Sequence, residues 1–163
     1  MANKVYRATE TPITFKDSGG TKVITLNGLA LGTGRVSAQQ DRGAGSLAAL
    51  HEVKAIVQWT SAPAVGDTAE IYLFQSDGTY VDGTVGTADA AISSDKRRNG
   101  MFIGAVVCDV ATGSVDMCAT FQNVPISSRY YSVGVWNASA TKALLASANV
   151  STVIVTPMPP EIQ

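Results

Sequence analysis

Val53-Lys54-Ala55-Ile56-Val57-Gln58-Trp59 is the stretch that decides the fold class. Read in steps of two, Val53, Ala55, Val57 and Trp59 fall on one side, with Lys54 and Gln58 on the other. That is a strand with one face in a core and the other at least partly wet. The same period recurs where Ala69, Ile71 and Leu73 oppose Glu70, Tyr72 and Phe74, and where Tyr131, Val133 and Val135 alternate with Ser132, Gly134 and Trp136. Residues 150–156 supply a last strand rich in β-branched side chains.

Residues 101–108 are apolar on both faces, which predicts a central or loop-covered strand, among the most buried in the chain. Val115, Met117, Ala119 and Phe121 alternate with Ser114, Asp116, Thr120 and Gln122, predicting the hairpin partner of that strand. Near the start, residues 13–15 and 22–26 read as a hairpin around Asp17-Ser18-Gly19-Gly20, and residues 35–39 as a weaker strand. About eight or nine short strands with regular turn signals predict an all-β fold. The expectation is one domain over residues 1–163, an antiparallel two-sheet β-sandwich of jelly-roll type. Helix is limited to single turns at residues 47–50, 88–94 and 143–148.

Two stretches escape the strand pattern. Residues 75–99 form a polar segment longer than the roughly 12–15 residues that usually bound a structureless loop, so it is expected to be partly ordered or functional. The termini are the other: an N-terminal arm over residues 1–11 and a C-terminal arm over 157–163. Pro157-Met158-Pro159-Pro160 makes the latter an extended tail that frays or lies along a neighbour.

Charged residues make up 15% of the chain against roughly 25% in an average domain, with a net charge of −1. So little charge suits a surface partly covered by partner subunits, and equally a Ser/Thr-rich monomer. No global basic field exists for direct nucleic-acid binding. The one basic run, Lys96-Arg97-Arg98, reads as a solvated loop or as a contact to an acidic patch on a neighbour. Met1 to Arg7 lacks the apolar stretch of a signal peptide, and the uncharged run after Lys142 is broken by Ser147, Asn149, Ser151, Thr152, Thr156 and three prolines, so no membrane span is expected. Synthesis in the cytoplasm, with reduced cysteines, follows as an expectation. Cys108 and Cys118 lie directly across a hairpin if its loop has three residues, and on opposite faces if it has two.

The chemistry is narrowed by a single histidine, His51. Any Ser/His/Asp or Cys/His arrangement must use it, and at a strand start it reads as a surface or hydrogen-bonded residue. No HExxH, P-loop or GxGxxG motif is present, so no cofactor and no metal is expected. Asp77, Asp82, Asp89 and Asp95 share one loop; they read as turn formers, with a calcium site as the functional alternative. Trp59, Trp136, Tyr130 and Tyr131 are the aromatics available for sugar stacking; Trp59 reads as core, and Trp136 as packed against small neighbours.

The opening Met1-Ala2-Asn3-Lys4-Val5-Tyr6-Arg7-Ala8, the stretch Ser128-Arg129-Tyr130-Tyr131-Ser132-Val133-Gly134-Val135-Trp136 and the closing Pro157-Met158-Pro159-Pro160 together resemble the small β-sandwich auxiliary proteins of tailed-phage heads, called decoration or cement proteins. The resemblance covers most of the chain and is one of general character. It implies a non-enzymatic virion protein on the capsid surface, a homo-oligomer and often a trimer, stapling major capsid protein subunits together. The arms and the long loop supply the expected contact residues: Val5, Tyr6, Arg7, Tyr80, Lys96, Arg97, Arg98, Pro157, Met158, Pro159 and Pro160. A carbohydrate-binding module is the alternative reading and an enzyme using His51 the third.

Overall fold

The computed structural model describes residues 5–43 and 48–162, with the backbone alone for Val5, Tyr6, Glu161 and Ile162. Its strands are β1 (Val5–Arg7), β2 (Ile13–Lys16), β3 (Lys22–Val23), β4 (Thr33–Val36), β5 (Gln40–Asp41), β6 (Leu50–Val57), β7 (Thr68–Ser76), β8 (Ala90–Ile92), β9 (Met101–Val107), β10 (Met117–Pro125), β11 (Tyr130–Asn137), β12 (Thr152–Pro157) and β13 (Pro160–Ile162). A 3-10 turn at Asp82–Thr84 and the one-turn helix α1 (Ser94–Arg97) complete the elements.

Two sheets face each other. One runs β10-β6-β12-β2-β3, the other β8-β4-β11-β7-β9 with β5 also on β11. The antiparallel pairs nest: β7 with β9, β6 with β10, β4 with β11, β2 with β12. Nested pairs of this kind are one long ribbon rolled on itself, which is the jelly roll that the strand periodicity predicts.

The rolled interior is filled by the rows that alternation selects. Val53, Ala55 and Val57 of β6, Ala69, Ile71 and Leu73 of β7, and Tyr131, Val133 and Val135 of β11 have no exposed surface, and Trp59 is equally enclosed. The other face of β7 and β11 is also covered. Tyr72, Phe74 and Trp136 form a second cluster with Val36, Val85 and Ile92, so the stretch that carries Val81 and Val85 lies as a third layer over the six-stranded sheet, while Ala90–Ile92 rejoins the sheet as β8 beside β4. Asp89 pins that layer: it accepts from the Arg35 guanidinium at 2.6 and 3.2 Å and from the Thr25 hydroxyl at 2.5 Å.

Four local expectations are corrected. First, β9 and β10 are not a hairpin; β9 pairs with β7 and β10 with β6, on opposite sheets, because the intervening residues cross the sandwich, with Ser114 donating to the Trp59 carbonyl. Alternation shows which face a strand buries but not which strand lies beside it.

Second, β9 is an edge strand with Phe102 and Val107 about half exposed, not one of the most buried strands. Its apolar outer side chains meet the Tyr72 ring on one flank and solvent on the other. Third, β2 and β3 run parallel. The Asp17 carboxylate accepts from the amides of Leu26, Asn27 and Asn149, which draws the chain past β2 before it turns back. Fourth, of the single helical turns expected at residues 47–50, 88–94 and 143–148, Leu50 and Ala90–Ile92 are strand and Leu144 bridges to Trp59. Leu47 lies outside the described residues, and the helix that does form, α1, starts from a Ser93 cap that accepts from the Lys96 amide.

Candidate functional site

The two arms expected to run free are paired with each other. Beyond β2 and β12, the Glu10 amide donates to the Pro157 carbonyl at 3.1 Å and the Ala8 amide to the Pro159 carbonyl at 3.2 Å. Arg7 then faces Pro160 and Val5 faces Ile162. β1 and β13 are thus the outermost rung of the nested ribbon. The prolines suit the position: Pro157 and Pro159 need offer only carbonyls, while the one amide among them, that of Met158, donates to Leu50 at 2.9 Å. On the N-terminal strand the inward amides are those of Ala8 and Glu10, so alternation turns the amides of Arg7 and Thr9 to the outer edge.

The ribbon lies at the end of the sandwich where β6 starts and β10 stops. The Arg7 guanidinium donates to the Asn123 side chain at 2.9 Å; Asn123 sits in the irregularity of β10 between Phe121 and Val124. Beside the ribbon a cleft of about 490 Å³ opens between Thr9, Glu10 and Thr11 on one wall and Gln40, Asp41 and Arg42 on the other. Arg129 grips Asp41 through two bonds of 2.9 Å, and this contact first of all holds the Asp41 carboxyl down to about 2.

His51 lines the cleft and is enclosed, not at the surface. Its ring faces the Val124 carbonyl, and Nδ1 is buried with no hydrogen-bond partner among the described residues. Burial, and then the nearby Arg42 cation, lowers its pKa from 6.5 to about 4. The Tyr131 ring, 6.3 Å away, carries a buried hydroxyl whose pKa burial raises far above the ordinary value.

A stability prediction follows from His51. The unfolded chain takes up a proton near pH 6.5 and the folded chain only near 4, so stability is complete above that window and drains as pH falls through it. With no second histidine to titrate there, thermal midpoints measured from pH 7.5 downward should fall earlier and more steeply for the wild type than for His51→Leu. Parallel curves would show that the imidazole does not govern the window.

The remaining expected contact residues divide. Tyr80 is 79% exposed and follows the turn in which Asp77 accepts from the Thr79 and Tyr80 amides at 2.7 and 2.9 Å. Arg97 is used internally, pairing with Glu70 and stacking 4.2 Å from the Trp136 ring centre. Lys96 donates to the Thr84 carbonyl at 3.2 Å, while Arg98 makes only a loose 3.8 Å pair with Asp95 on open surface. The basic run is therefore part scaffold and part surface. Val5 and Tyr6 contribute described backbone only.

The loop carboxylates are likewise occupied locally: Asp82 accepts from the Gln75 amide at 2.9 Å, and Asp89 holds Arg35 and Thr25. Among the described residues no three of His, Cys, Asp and Glu come within reach of one metal ion. Cys108 is buried, with its thiol donating to the Val110 carbonyl at 3.3 Å, Cys118 is exposed on the other sheet, and the two form no disulfide with each other. Both tryptophans are inside, at 1% and 7% exposure, so neither presents a ring for sugar stacking.

The polar group that strand periodicity passed over is Asn137, in the inward row of β11 and fully buried. Its carbonyl accepts from the Trp59 indole at 3.3 Å and the Ser139 amide at 3.2 Å; its amide donates to Leu29 and Lys142 carbonyls at 3.1 and 3.0 Å. A polar residue at the end of an apolar row was the signal. No protein-family model matches the chain, and no curated protein is significantly similar to it.

Proposed function

We propose that this is a non-enzymatic structural protein of a phage particle, which attaches to the outside of the capsid through its ribbon end and reinforces contacts between major capsid subunits. The observation that carries the reading is the terminal ribbon: two paired arms at one end of a rigid jelly roll, with outward amides at Arg7 and Thr9 and an adjoining polar cleft. A ribbon edge of this kind can accept a strand from a neighbouring subunit, main-chain bonds giving affinity and alternate side chains selectivity. Many such contacts on one shell reinforce each other through effective concentration. The low charge of the chain agrees with a surface designed for contact. In this reading the protein is made in the host cytoplasm and works on the virion surface.

The test is removal of residues 158–163. The eight strands of the roll keep all their partners, while β1 loses its own. Far-UV spectra and cooperative unfolding should be retained, and co-sedimentation with shells lacking the protein should drop by an order of magnitude or more. Shells that saturate at the same concentration with the truncated protein would defeat the reading.

A further inference from the structure

We propose that two copies of this chain join along β9, each extending the other's six-stranded sheet through a two-fold axis. β9 ends that sheet, and among the described residues no strand pairs with its outer side. The Cys108 amide and carbonyl both point to the β7 side, where they meet Asp67 and Gly66 at 2.8 and 2.9 Å. Stepping back along the strand, Val106 also points to β7, whereas the amides and carbonyls of Val107 and Ala105 point outward. A two-fold that sets Ala105 of one copy opposite Val107 of the other satisfies both residues in both copies.

The chemistry of the edge selects a second copy as occupant. Met101-Phe102-Ile103-Gly104-Ala105-Val106-Val107 carries neither charge nor proline, so the strand meets itself without like charges opposed. The other edges of the two facing sheets are guarded: β3 carries Lys22 and has two residues, β8 has three and follows Asp89, and β10 ends on Pro125, whereas the one irregularity of β9, at Ile103, lies outside residues 105–107 that would pair. The apolar surface is also concentrated here. Phe102 (55%), Val107 (52%), Val110 (41%) and Val115 (37%) are exposed along or just after β9, and Val65 (67%) adjoins them through the Gly66 bond to Cys108. Pairing two copies buries part of this patch in each. Contact between copies is separable from shell attachment: a dimer that ignores shells, or a monomer that binds them, tells the two readings apart.

Equilibrium sedimentation of the full chain over a wide concentration range tests the pairing. The wild type should approach twice its 16.9 kDa mass. Val107→Pro removes an outward N–H that β7 does not use, so it should fold normally and sediment at 16.9 kDa. Val107→Lys, at an exposed side chain, should do the same and guards against a fold defect in the proline variant. A wild type that stays at single-chain mass, forms a trimer, or remains dimeric in both folded variants overturns the proposal.

Discussion

Phe74→Ala is expected to lower the unfolding free energy by about 3–5 kcal/mol and to free the third layer of the fold. Phe74 is fully buried in the outer cluster, between the six-stranded sheet and the stretch that carries Val81 and Val85. The chain fits closely around its ring: a methyl built on Gly134 would lie 2.6 Å from Cε2, and one on Gly100 2.7 Å from Cε1. Those positions are glycine because a larger residue would occupy the space of the ring. Without the ring, the cluster that holds Val85 and Ile92 loses a fully buried member, and the segment keeps its strand pairing at Ala90–Ile92 and its polar ties at Asp82, Asp89 and Arg97. Chemical denaturation should show the loss, and brief proteolysis should cut first within residues 77–99. Unchanged stability with no new cleavage site would mean that the polar ties and the pairing of β8 with β4 hold the segment without the ring.

The second large effect is expected at Asn137. Its replacement by Ala removes one side chain and leaves the Trp59 indole, the Ser139 amide and the Lys142 carbonyl short of a partner at or beside the core, while the Leu29 carbonyl keeps the Leu144 amide. An unsatisfied buried polar group costs about 1–3 kcal/mol, so a total loss of at least about 3 kcal/mol is expected even with partial relaxation. Asn137→Asp keeps the acceptor, loses both donors and buries a charge, so it should not rescue stability. Tryptophan emission followed through urea unfolding reads the change from Trp59 and Trp136, one in each buried cluster. A midpoint equal to that of the wild type would show that Asn137 is dispensable to the core.

The fold was legible where burial alternates with every second residue. Val53, Ala55, Val57 and Trp59 identified the inner row of β6 because only one face of that strand meets the core. The partnership of strands was not legible, since β9 and β10 are neighbours in sequence and yet bond to β7 and β6. Nothing in side-chain pattern encodes that crossover, which depends on the roll closing around β6 and β7. For the same reason the arms read as free: the pairing of β1 with β13 follows from β2 lying against β12, a contact between residues at opposite ends of the sequence. At the candidate site, the proline run and the exposed Tyr80 were visible in composition, whereas the enclosure of His51 and the internal use of Arg97 required the packed structure.

The fifth rung of the ribbon also governs how the molecule can carry cargo. Because Val5 lies across from Ile162, the chain enters and leaves the described fold side by side, on the surface proposed to meet the shell. Engineering for display therefore belongs at the opposite pole, in the connection between β11 and β12 at the exposed residues 146–148, where an insertion faces away from the attachment zone and from β9.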